Sequence, residues 1–186
     1  MAVKTFTTGE VLTASDTNTY LNNGGLVYIT ATTFAGAATG YTTSNVFTST
    51  YENYRIVISN AFSSAGYENL RFRFTTSGTT SDVNYYYGTT YVTWAGATGI
   101  NNLNGGTSYG LAMNITTTVT RSNCVIDIYR PQTTSESAWS VLAQGSDASW
   151  AGNGIHDVDA SYDGIRFYLP TGNLNGTARF YGYRQA

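Results

Sequence analysis

From Leu26 onward, hydrophobic and polar residues alternate with a period of two, the pattern of a strand with one buried face. Tyr54, Ile56 and Ile58 share one side, with Arg55 and Ser59 on the other. Leu70, Phe72 and Phe74 oppose Arg71, Arg73 and Thr75, which are expected to meet water. The same rule selects Leu111/Met113/Ile115, Cys124/Ile126/Ile128, Trp139/Val141/Ala143, Ile165/Phe167/Leu169 and Ala178/Phe180, which together predict one continuous core. Turn signals separate the runs: Ser77-Gly78, Asn104-Gly105-Gly106, Arg121-Ser122-Asn123, Gly152-Asn153-Gly154, Asp163-Gly164 and Asn175-Gly176. Roughly eight to ten short strands of this kind specify an all-β fold, an antiparallel two-sheet sandwich of jelly-roll-like type. Alternation fixes faces and leaves the order of neighbours open.

The segment before Leu26 follows a different rule. In Val11-Leu12-Thr13-Ala14-Ser15-Asp16-Thr17-Asn18-Thr19-Tyr20-Leu21, Thr13 suits an N-cap and Asp16 the third helical position, a capping box with Asp in place of Glu; Asn22-Asn23-Gly24-Gly25 then stops the helix. Such a helix falls short of the roughly 12–15 residues at which an isolated helix is even marginal in water, so it needs a partner surface. Val11, Leu12, Tyr20 and Leu21 would supply the contact. The partner is either the chain's own sandwich or another chain; the joint at Gly24-Gly25 favours the second. The organisation expected is a docking or oligomerisation segment over residues 1–25 and one sandwich domain over 26–186.

Composition narrows the function. Charged residues are 11% of the 186, against roughly 25% in an average soluble domain, and polarity comes from Thr, Ser, Asn and 20 Gly, with 16 Tyr. A net charge of -2 offers a phosphate backbone no attraction, so nucleic acid is not expected as a partner. No run approaches the roughly 18 apolar residues that cross a bilayer, and Met-Ala-Val-Lys-Thr lacks the apolar centre of a signal peptide; membrane insertion and general export are not expected. Cys124 is alone and cannot close a disulfide within the chain.

Candidate chemistry is sparse. The single histidine, His156, neighbours Asp157 and Asp159, but adjacent positions in an extended chain point to opposite faces, and no nucleophile sits in a shaped turn. One His and one Cys cannot fill a zinc site. Asp157, Asp159 and Asp163 lack the spacing of a calcium loop, and the glycines match no nucleotide-binding pattern. No enzyme activity, metal or cofactor is therefore expected. Aromatic residues carry more. Tyr85-Tyr86-Tyr87 cannot all point inward, so one ring must face outward. Trp94 before Ala95-Gly96, and Trp150 before Ala151 to Gly154, are expected at loop tips, where a flat ring stacks on a sugar or fills a subunit contact. Tyr86, Trp94 and Trp150 are thus the candidate glycan or interface aromatics.

Phe6-Thr7-Thr8-Gly9-Glu10-Val11-Leu12-Thr13-Ala14-Ser15-Asp16-Thr17-Asn18-Thr19-Tyr20-Leu21 resembles the opening of tailed-bacteriophage minor structural proteins, in which a G-x-V-L-T-A-S-D-x-N-x-Y-L segment precedes a β-rich body. The strands Tyr51 to Ile58 and Leu70 to Phe74, and the close Gly176 to Tyr183, are similar to virion-surface domains with a carbohydrate-binding-like sandwich. The resemblance implies a virion location after assembly in the host cytoplasm, attachment to other virion proteins through Val11, Leu12, Thr13, Asp16, Tyr20 and Leu21, a homotrimer, and a sandwich that contacts host-surface polysaccharide. A tail-associated short fibre or tip is the leading expectation. The alternatives are a capsid decoration or head-fibre protein and, from another class, a glycan-degrading domain.

Overall fold

The computed structural model describes residues 7–11, 13, 25–117, 121–145 and 147–184. The expected helix, with Leu12, Asp16, Tyr20 and Leu21, lies outside the described residues. Of that segment Val11 and Thr13 are described, and both are exposed, Val11 at 78%.

The described residues are all-β, with thirteen strands numbered in chain order and paired antiparallel throughout. One sheet has eight strands in the order β1 (Leu26–Ala35), β13 (Leu174–Tyr183), β3 (Asn53–Ser63), β9 (Ser122–Tyr129), β10 (Ser137–Gln144), β11 (Ala148–His156), β6 (Tyr85–Thr93) and β7 (Thr98–Thr107). The other has five: β2 (Gly40–Thr43), β12 (Gly164–Tyr168), β4 (Glu68–Thr76), β5 (Thr79–Thr80), and β8 (Gly110–Ile115), which also pairs with β4. Between β1 and β4 the chain changes sheet at every step, whereas β9, β10 and β11 follow one another as neighbours in the large sheet.

The core lies between the sheets and is built from the alternation read in the sequence. Tyr54, Ile56, Ile58, Ile126, Ile128, Trp139 and Phe180 come from the large sheet; Leu70, Phe72, Phe74, Ile165 and Phe167 come from the small one. Phe72 crosses the gap to meet Trp139 edge-on at 5.1 Å between ring centroids, a geometry that suits the aromatic quadrupoles.

Several expected turns are something else. Gly152-Asn153-Gly154 lies inside β11, paired with β10 on one side and β6 on the other, and Asn104-Gly105-Gly106 lies inside β7. Asn175-Gly176 is a β-bulge in β13, where Gly176 takes φ 127°, and β9 already begins at Ser122. Ser77-Gly78 is the turn expected, with both residues at positive φ between β4 and β5. Thr75 is buried rather than facing water, its Oγ1 lying 2.7 Å from where a Cβ on Gly164, its partner on β12, would stand.

Candidate functional site

The outer face of the large sheet carries the clearest site. Backbone register aligns Tyr86, Ile155, Ala138 and Tyr129 in one row across β6, β11, β10 and β9. The next row holds Gly88, Asn153, Ser140 and Asp127, and continues to Arg55 on β3. Tyr86 and Tyr129 stand three strands apart, about 14 Å at the usual strand spacing. Between them the small side chains of Gly88 and Ala138 leave an open groove of about 560 Å³. A Cβ on Gly88 would meet no atom within 4 Å, so that glycine opens the floor of the groove.

Polar groups lie along the centre of this groove. Tyr129 Oη is 3.2 Å from Ser140 Oγ, and the exposed Asn153 carboxamide lies one strand further on. At its edge Arg55 binds Asp127 through two bonds of 2.8 Å, and the Tyr183 hydroxyl donates to the same carboxylate at 2.7 Å. Burial opposes ionisation of Asp127, but the bonds from Arg55 and Tyr183 outweigh it and hold the carboxyl below its usual range. Burial and the Asp127 bond together push Tyr183 up to about 12. The two charges cancel, and the groove presents no net charge. The adjoining row, Val57, Val125, Leu142 and Ala151, is apolar, with Leu142 66% exposed.

The three aromatics singled out in the sequence do not converge. Tyr85 and Tyr87 are buried and Tyr86 faces outward, the split that alternation requires. Trp94 is at the tip of the β6–β7 hairpin, where Gly96 N–H donates to the Thr93 carbonyl at 2.9 Å. That is the opposite end of β6 from Tyr86, about 26 Å along the strand. Trp150 is not at a loop tip. It lies within β11, 7% exposed, with its ring 4.8 Å from that of Tyr91, because the glycines that follow it are strand positions. Tyr129, Asn153, Ser140 and the Arg55–Asp127 pair were not anticipated as a site, since their juxtaposition depends on strand order.

His156 is fully buried, stacked on Tyr85 at 4.1 Å, with Nε2 3.0 Å from Ser81 Oγ and 2.8 Å from Tyr162 Oη. Burial pushes its pKa down, outweighing the Asn84 carbonyl and the Asp157 charge. Asp157, next in the chain, faces out. Among the described residues no three His, Cys, Asp or Glu side chains are close enough to hold a metal ion. Cys124 is buried, and burial raises its thiol pKa well above the ordinary value. No protein-family model, curated protein or solved structure matches the chain. What the groove offers chemically is two aromatic rings flanking hydroxyl and amide groups.

Proposed function

We propose that the chain is a structural subunit of a bacteriophage virion, of tail-fibre or tail-tip type, whose jelly-roll-like sandwich binds host-surface glycan across the outer face of its large sheet. The observation that carries the binding half is the groove between Tyr86 and Tyr129 with Ser140 and Asn153 at its centre. Sugars present apolar C–H faces ringed by hydroxyls, and they are held by aromatic rings and amide or hydroxyl partners of this kind. The two rings are too far apart to clasp one sugar, so they suit two units of a single chain. The neutralised Arg55–Asp127 pair favours an uncharged glycan over a polyanion. The virion half is supported by the N-terminal resemblance and by a low-charge, Tyr- and Thr-rich body, and it extends to attachment to other virion proteins and a homotrimer.

The test is binding of purified full-length protein to a panel of bacterial cell-wall polysaccharides, compared with a Tyr86→Ala, Tyr129→Ala variant and with Trp94→Ala. Loss of about tenfold or more in the double variant alone is expected. Equal binding by all three proteins would remove the groove from the proposal.

The exposed apolar row around Leu142 favours a second reading, in which another subunit covers this face, as in a capsid decoration protein. Labelling particles with an antibody against the chain separates the two, since signal on the head ends the tail assignment.

A further inference from the structure

The outer face of the small sheet, on the opposite side of the sandwich from the Tyr86–Tyr129 groove, gathers three of the chain's nine basic residues. Arg71 and Arg73 alternate with the core residues Leu70, Phe72 and Phe74 on β4, and Arg166 stands between Ile165 and Phe167 on β12. All three side chains therefore leave the core on one side, and each is half-buried with part of its surface open to solvent. The ladder sets Arg73 directly opposite Arg166, and Arg71 opposite Tyr168 two positions on. Like charges facing each other across a ladder destabilise a sheet, and no carboxylate offsets them here. Among the described residues the ion pairs are Arg55–Asp127 and Arg130–Glu136. The acidic residues that flank β4 and β12 are engaged elsewhere: Glu68 accepts the Thr171 hydroxyl, and Asp163 accepts the Ser77 N–H at 2.8 Å.

Aromatic rings arrange the guanidinium groups. Arg73 and Arg166 both approach the ring of Tyr168, at 5.0 and 5.8 Å from its centroid, and Arg71 lies 4.0 Å from that of Tyr109. The Arg73 Nε–H donates to the Ser108 carbonyl at 2.7 Å, a bond that fixes the group and leaves its two Nη nitrogens for a ligand. Gly40 on β2 makes room for Arg166, since a Cβ there would stand 3.1 Å from the Arg166 Nε. Exposed Thr42, opposite Arg166 on β2, adds a hydroxyl at the edge. We propose that this face binds a phosphate group, seated between Arg73 and Arg166 with Arg71 as the third cation. A tetrahedral phosphate accepts from several guanidinium forks at once, whereas a planar carboxylate is filled by one. Three cations with no acid among them favour a doubly charged ligand. A metal ion or an amine is repelled, and a neutral sugar leaves the Arg73–Arg166 repulsion as it was. The phosphate comes either free or as a terminal monoester, or as a phosphodiester within a polymer; the anionic oxygens are common to both.

The experiment is thermal unfolding of full-length protein at pH 7.5 in sodium phosphate up to about 50 mM, enough to saturate a site of millimolar Kd. Sodium chloride at matched ionic strength is the reference. A ligand that binds the folded state raises the midpoint, here by about 3 °C or more. Arg166→Gln is expected to need about tenfold more phosphate for the same rise, and without phosphate to be no less stable than wild type, because it removes one of two facing like charges. If that variant does not fold, Arg166→Lys takes its place, keeping the charge and losing the fork. The Tyr86→Ala, Tyr129→Ala variant should keep the full rise, which separates this site from the groove. Glycerol 1-phosphate and dimethyl phosphate distinguish the sources: a rise with both assigns a polymer phosphodiester, and a rise with the monoester alone assigns a free or terminal phosphate. The proposal is overturned by a rise that sodium chloride or sodium acetate equals, by one undiminished in the Arg166 variant, or by one lost in the groove variant.

Discussion

A neutral imidazole is what the surroundings of His156 demand. Its ring is stacked on Tyr85, reached by two hydroxyls at Nε2, and shut off from water. The folded-state pKa is depressed below the unfolded value of about 6.5, so between the two the unfolded chain binds a proton that the folded chain refuses. The stabilisation from keeping it neutral is complete above about pH 6.5 and is lost as the pH falls below that value, with a slope of at most about 1.4 kcal/mol per pH unit. Urea midpoints at a series of pH values from 7.5 to 5 are expected to fall in the wild type and to fall less in His156→Gln; parallel curves would show that this histidine does not titrate. At this scale the sequence was partly legible. One of three consecutive tyrosines had to face outward, and it is Tyr86. Nothing in the sequence placed Tyr129 beside it, because the row joining them crosses three strand pairings.

Gly152 and Gly154 illustrate how an element can be misread from its residues. Glycine beside asparagine is a turn signal, yet here both glycines are strand positions whose inner faces are filled from neighbouring strands. A Cβ on Gly154 would come within 2.3 Å of Trp139 Cζ2 and 2.5 Å of the Tyr86 carbonyl oxygen; one on Gly152 would come within 2.5 Å of Thr89 Cγ2. The large Trp139 ring and the missing side chain opposite it are one packing decision, made across β10 and β11. Gly154→Ala is expected to cost about 1–3 kcal/mol by overpacking, whereas Gly88→Ala, on the open face, should stay within about 0.5 kcal/mol. Denaturant unfolding of both variants checks this; equal losses would mean that the collision with Trp139 is not what excludes a side chain. The faces of β3, β4, β9, β10 and β12 were legible because alternation survives wherever one side is buried and the other wet. Glycine-rich β7 and β11 were not, since small residues there answer to partners on another strand.

At the scale of the molecule, the core among the described residues begins well beyond the N-terminal segment. Every buried hydrophobic residue among those described lies at or after Phe34, while Val11 and Thr13 are exposed. The Arg184 N–H donates to the Gly25 carbonyl at 2.9 Å, a bond that removal of residues 1–25 would break. A chain starting at Leu26 should therefore unfold within about 3 °C of the full-length protein, since one exposed backbone bond is worth only about 1 kcal/mol. Assembly is where the two should differ. An exposed Val11 in the isolated chain is what a docking segment would present, and short helices gain order from the surface that receives them. Sedimentation is expected to give a trimer for the full chain and a monomer for the truncated one, with the Tyr86–Tyr129 groove intact in both. Were the truncated chain to keep the same oligomeric state, the subunits would be joined through the sandwich, and the apolar row around Leu142 would be the surface to mutate next.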